Sequence, residues 1–160
     1  MKRKIAVGLC VGMLTLSLVG CSSDKSTDKE ASNTNGAQQT EAFTGEKTVE
    51  LPTGDGGKET LITTVTFEAG KPVDVNIDVK GEDGTMKSEL VKDGKYVMAN
   101  ETAPWTDQVD SLEKFIVEND FDLSKVTLTG DDGKTDAVSG VTIKVGEYVE
   151  GVQKALDEVK

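Results

Sequence analysis

From Leu61 to Val79 the chain alternates apolar and polar residues, with one interruption at Ala69-Gly70-Lys71-Pro72. Leu61, Thr63, Val65 and Phe67 alternate with Ile62, Thr64 and Thr66; Val73, Val75, Ile77 and Val79 alternate with Asp74, Asn76, Asp78 and Lys80. A period of two with one wet face is the pattern of antiparallel strands, and the Gly-Pro punctuation predicts a hairpin. Gly81-Glu82-Asp83-Gly84 ends its second strand.

Beyond this hairpin the apolar residues change to helical spacing. Trp105, Val109, Leu112, Phe115 and Ile116 fall on one stripe with Thr106 placed to cap it, and Tyr148, Val152, Leu156 and Val159 form a second at the C-terminal end. Lys125–Thr129 reads as a further strand closed by Gly130-Asp131-Asp132-Gly133. Strands first and helices later, without βαβ alternation, predict an α+β fold: a twisted antiparallel sheet with two main helices.

The first residues have a different purpose. Lys2, Arg3 and Lys4 precede an apolar run from Ile5 to Leu18, the layout of a secretory signal and too short for a membrane span. Leu18-Val19-Gly20-Cys21 resembles the lipobox of bacterial lipoproteins. That resemblance implies cleavage before Cys21 and lipid attachment to its thiol, with acyl chains such as palmitate. Residues 1–20 are then a lipoprotein signal peptide. Residues 21–43, rich in Ser, Thr, Asn, Gln and Lys, read as the lipidated cysteine and a disordered linker. Residues 44–160 are the domain.

Composition removes several classes of function. Loss of Lys2, Arg3 and Lys4 takes 18 basic residues to 15 against 29 acidic ones, and the net charge from −11 to −14. Such a chain repels phosphate backbones and anionic headgroups, so no nucleic acid is expected and the membrane is met through the lipid alone. There is no histidine, Cys10 leaves with the signal peptide, and the Cys21 thiol is taken by lipid. Ser-His-Asp hydrolysis, haem ligation, the usual zinc sites and disulfides are excluded. No metal site and no catalytic residue is indicated, so any redox chemistry has to come from a cofactor.

One segment could hold a ligand: Asp136-Ala137-Val138-Ser139-Gly140-Val141-Thr142-Ile143-Lys144-Val145, leading into the last helix. Two hydroxyls and a glycine just before a helix suit a phosphate, through free N–H groups and the helix dipole. Ser139 or Thr142 capping that helix is the alternative reading, and both are open at this point.

Asp136-x-x-Ser139-Gly140-x-Thr142 resembles the signature of the FMN-binding domain family, Asp-x-x-(Ser/Thr)-Gly-Ala-Thr. That family includes the C subunit of the sodium-pumping NADH:quinone reductase and Gram-positive flavin lipoproteins of extracellular electron transfer. The likeness extends to Thr44-Gly45, the Gly-Lys-Pro-Val-Asp-Val hairpin, Lys87-Ser88-Glu89-Leu90, Tyr96-Val97-Met98 and the terminal helix, and so covers residues 44–160. It implies FMN, joined by a separate flavin transferase to Thr142 through a phosphoester or held without that bond, with Asp136, Ser139 and Gly140 as the recognition frame. Trp105, Tyr96, Met98 and Met86 are candidate contacts of the isoalloxazine. Lys87 and Lys144 pair with phosphate or reduced flavin, or are plain surface lysines. Val141 departs from the family's Ala and is expected to crowd the acceptor; Lys144 and Val145 replace hydroxyl residues.

The resemblance implies a lipid-anchored carrier on the outer face of the cell membrane, more an electron shuttle than an enzyme with its own substrate, served by a membrane electron-transfer partner. The alternative is a non-enzymatic binding or scaffold lipoprotein that has lost flavin, with a signalling peptide released from its leader.

Overall fold

Ala69 and Gly70 have φ of +49° and +77°, the left-handed pair that closes a two-residue hairpin. In this computed structural model they join β2 (Thr60–Glu68) to β3 (Lys71–Lys80), and β1 (Gly45–Pro52) pairs on the other side of β2. The described residues are 42–54, 56–99, 103–130 and 133–160. The signal peptide, Cys21 and almost all of the expected linker lie outside them.

The sheet is an antiparallel meander in the order β1-β2-β3, so β1 and β3 are both edges. Its inner face carries Leu61, Thr63, Val65 and Phe67 from the central strand and Val75, Ile77 and Val79 from β3, all buried. The predicted alternation fails at one residue. Thr66 pairs with Asp74 but Phe67 pairs with Pro72, so Val73 is the extra residue of a bulge and is 38% exposed. Pro72 cannot donate to a ladder, and an edge strand with a bulge is where it is tolerated.

Two longer helices, α2 (Trp105–Glu118) and α3 (Gly146–Asp157), cover the inner face, α2 against β3 and α3 against β2 and β1. Each presents most of its predicted stripe: Trp105, Val109, Leu112 and Ile116 are buried from α2, with Phe115 half-buried, and Tyr148 and Val152 from α3, with Leu156 half-buried. Ala155, outside the predicted stripe, is buried as well, and Val159 lies beyond the end of α3. The fold is thus α+β with an antiparallel sheet, as the periodicities predict. A short α1 (Lys87–Lys92) follows β3.

Several local expectations are corrected. Thr106 does not cap α2, because the helix begins one residue earlier at Trp105, behind Pro104. The strand expected at Lys125–Thr129 shrinks to β4 (Leu128–Thr129), paired with β5 (Lys134–Thr135). Asp122 accepts the Ser124 N–H at 3.2 Å and draws Leu123–Lys125 into a 3₁₀ turn. Phe43, assigned to the linker, belongs to the fold: its ring packs edge-on against Phe67 at 5.8 Å, and its carbonyl accepts the Gly70 N–H at 2.7 Å.

Candidate functional site

Trp105 opens α2 with its indole 3% exposed, and its Nε1–H donates to the Tyr148 hydroxyl of α3 at 3.1 Å. The two rings meet edge to face, 6.4 Å apart at 86°. Burial disfavours the phenolate and pushes the Tyr148 hydroxyl up to about 12. Over this pair lies Lys87 of α1, its side chain 14% exposed and its Nζ 3.1 Å from Glu59. The same Nζ stands 5.7 Å from the Trp105 ring centre and 5.2 Å from that of Tyr96, within cation–π range.

These groups are among the lining of a cleft of about 580 Å³. Tyr96, Met98, Lys87, Trp105 and Tyr148 line it together with Ile143, Lys144, Gly146 and Glu147. A smaller apolar notch of about 260 Å³ adjoins it, sharing Tyr96, Met98 and Trp105 and adding Pro104 and Val97, which is 82% exposed. Another hollow, of about 490 Å³, is lined by Phe121, Leu156 and their neighbours and contains none of the predicted site residues.

Between β5 and α3 the Asp136–Lys144 loop is pinned by its apolar residues. Val138, Val141 and Val145 are buried, whereas Asp136, Ser139, Gly140 and Thr142 are exposed. Val141 therefore places its branched side chain in the core, and the expected crowding of the Thr142 hydroxyl does not arise from it. Gly140 has φ of +82° with open space where a Cβ would stand. Only glycine adopts that conformation without strain.

The loop is not the N-terminus of α3, as its sequence suggests. That helix starts at Gly146, and the Val145 and Gly146 N–H groups both donate to the Gly133 carbonyl, at 2.7 and 3.1 Å. Neither Ser139 nor Thr142 caps the helix. Thr142 is held instead by α2. Gln108 Oε1 accepts the Thr142 N–H at 2.8 Å, the Thr142 hydroxyl at 3.0 Å and the Ile143 N–H at 3.2 Å. Gln108 is 1% exposed, and its Nε2 donates to the Ala103 carbonyl at 3.2 Å.

The structure thus brings Trp105, Tyr96 and Met98 together at one cleft, which Ile143 and Lys144 of the loop also line, whereas Asp136, Ser139, Gly140, Val141 and Thr142 do not line it. Met86 is not among its lining residues: it bridges to Lys80 as the residue before α1. Among the described residues no cluster of His, Cys, Asp and Glu could hold a metal, and no helix is long and apolar enough to cross a membrane.

This arrangement of sheet and helices is shared with a Clostridium thermocellum protein solved by solution NMR. The two are 30% identical with a TM-score of 0.55, over 73% of this chain and 92% of that one. This chain belongs to the same family as that clostridial protein. A crystal structure from Clostridium perfringens is a looser likeness, 15% identical with a TM-score of 0.46 over 72% of this chain and 84% of that one. No family model and no curated protein matches the chain.

Gln108 is the residue that sequence reading missed. Its signal was a polar side chain three residues after Trp105 and four before Leu112, on the buried stripe of α2. A buried glutamine needs partners; one, Ala103, is near in the sequence, but those of its oxygen lie 34 and 35 residues away.

Proposed function

We propose that the chain is a lipid-anchored extracytoplasmic flavoprotein, carrying FMN at the Thr142 loop and passing electrons between a membrane reductase and an acceptor outside the cell. The observation that supports it most is the presentation of Thr142: an exposed residue whose part-buried hydroxyl is held by Gln108 of α2, in a loop whose next two residues, Ile143 and Lys144, line a cleft of about 580 Å³. That volume is within the usual ~300–1,000 Å³ of small-molecule sites. Tyr96 and Met98 offer an aromatic ring and a thioether to a flat heterocycle, Lys144 and the Glu59-paired Lys87 bring positive charge beside Glu147 and Glu150, and Gly140 of the neighbouring loop leaves the backbone approachable. The residues fit the group. Bound FMN would supply one- and two-electron transfer, while the chain supplies placement and local charge. The phosphate would bond to the Thr142 oxygen, which would retain the cofactor outside the cell.

One observation favours the scaffold reading. The Trp105 ring is buried against Tyr148 and lies under Lys87, so it forms the floor of the cleft and offers no open face for stacking. Stacking would fall to Tyr96.

The deciding experiment is the intact mass of the chain purified from its own cells and denatured. The expected mass exceeds the lipidated polypeptide by one FMN less one water, Thr142→Ala lacks the increment, and dithionite bleaches a visible band that air restores. Colour that washes out on denaturation keeps FMN but rejects the bond. No colour even with flavin transferase supplied leaves the scaffold. Cys21→Ala tests the anchor: label from radioactive fatty acid that persists in it would reject lipidation at Cys21.

A further inference from the structure

The cleft walls show where a ligand would lie, but the three bonds converging on Gln108 concern how Thr142 is made ready. Two hydroxyl-bearing residues of the loop are exposed, Ser139 and Thr142. Among the described residues no hydrogen bond holds the Ser139 side chain, on a loop that also carries Gly140 at positive φ. The Thr142 hydroxyl donates to Gln108 Oε1, and the N–H groups on either side of the Thr142 carbonyl, its own and that of Ile143, go to the same oxygen. The far end of the amide is fixed to Ala103, and the Gln108 backbone belongs to α2. A helix therefore holds the amide, and the amide holds both the rotor and the backbone of one of the two hydroxyl residues.

We propose that Gln108 is a positioning residue that presents the Thr142 oxygen for phosphoester formation and selects it over Ser139, an inference that rests on the flavin reading above. The step is a substitution at phosphorus. Thr142 Oγ1 bonds to the flavin-side phosphorus of a flavin dinucleotide, the bond from that phosphorus to the bridging oxygen breaks, AMP leaves and the hydroxyl proton is released. No electron is exchanged. Gln108 touches none of the reacting atoms except through the Thr142 hydroxyl. Its part is to cut the orientational freedom of the nucleophile before the transferase arrives, and misplacement of a reacting atom by ~1 Å can cost about 10²-fold in rate.

The test uses the lipidated chain in detergent with purified flavin transferase and flavin dinucleotide, read by intact mass. Wild type is expected to gain one FMN on Thr142. Gln108→Met, of similar size but without the acceptor, should lose about 10²-fold in kcat with an unchanged KM for the acceptor chain. Gln108→Glu, which keeps an acceptor oxygen but loses the donor to Ala103, should recover part of that rate. Before any modification, amide exchange at Thr142 and Ile143 should rise in Gln108→Met. If Gln108→Met does not fold, Gln108→Asn, one methylene short, is the loss variant. A folded loss variant modified at the wild-type rate, or with wild-type amide exchange, overturns the proposal while leaving the flavin reading intact. A wild-type chain that gains no mass overturns the flavin reading, and the positioning role falls with it.

Discussion

Gly151 of α3 lies against Thr63 of β2 so closely that a Cβ added to it would come within 3.2 Å of both Thr63 Cβ and Leu61 Cδ2, and nearer still to the Thr63 hydroxyl oxygen. The contact lets helix and sheet approach, and it buries the Thr63 hydroxyl, which has no hydrogen-bond partner among the described residues.

Gly151→Ala should therefore destabilise. At an ordinary helical position the change gains roughly 1 kcal/mol. Here overpacking costs about 1–3 kcal/mol, because the obstruction is a β-branched side chain on the central strand. A lower Tm is expected, and Thr63→Ala should lessen the penalty in the double variant. Simple additivity of the two changes would show that Thr63 is not the obstruction.

Thr63→Val should do the opposite. Valine keeps the shape and the strand preference, and it removes a buried hydroxyl with nothing to bond. A gain of about 1 kcal/mol in urea denaturation is expected. No gain would mean that water reaches the hydroxyl.

Glu113 of α2 accepts the Ile77 N–H on the free edge of β3, at 2.6 Å. Burial, with Asp110, Asp74 and Asp78 nearby, pushes its carboxyl up to about 7 from the ordinary 4.5. The folded chain then binds more protons than the unfolded one between those values. Stability from this group is present below the unfolded value and is lost as pH rises through about 7. Urea midpoints should decline across that window. Glu113→Gln, which retains an acceptor for Ile77, should flatten the decline; an equal decline in the variant would assign it to other groups.

The Phe43 contact sets where the fold begins. Removal of residues 1–42 should leave the melting midpoint almost unchanged, whereas removal of Phe43 as well should lower it by a few degrees. The second deletion takes away the ring on Phe67 and the carbonyl that accepts from Gly70. Equal midpoints would mean that the ring adds nothing beyond the hairpin itself.

Legibility in the sequence followed the range of the interactions. The hairpin could be read because alternation and turn residues are local. The stripes of α2 and α3 were legible for the same reason. β1 was not: in Gly45–Pro52 the inward positions are shared among Lys47, Val49 and Leu51, too weak a pattern until β2 pairs with it. The site was half legible. Trp105, Tyr96 and Met98 were named and do meet. Which face of the loop Thr142 occupies was set by Val138 and Val141 entering the core and by Gln108 reaching it from another helix, and no local pattern encodes that.

The Trp105–Tyr148 pair gives the cleft an intrinsic reporter, since Trp105 is the sole tryptophan of the chain. Tyr148→Phe keeps the edge-to-face packing but removes the acceptor from a buried indole N–H. Leaving such a donor unpaired costs about 1–3 kcal/mol, so a clear fall in Tm is expected with little change in secondary structure. The emission of Trp105 should shift with it, because the partner of its N–H is gone. In wild type the phenol is held up to about 12, above its ordinary 10, so the folded chain binds the extra proton between those values and loses stability as pH rises through them. Phenolate quenching of Trp105 should accordingly be absent near 10 and develop only toward 12. If quenching sets in at the ordinary value, the hydroxyl is open to water and the cleft floor is looser than the 3.1 Å bond implies.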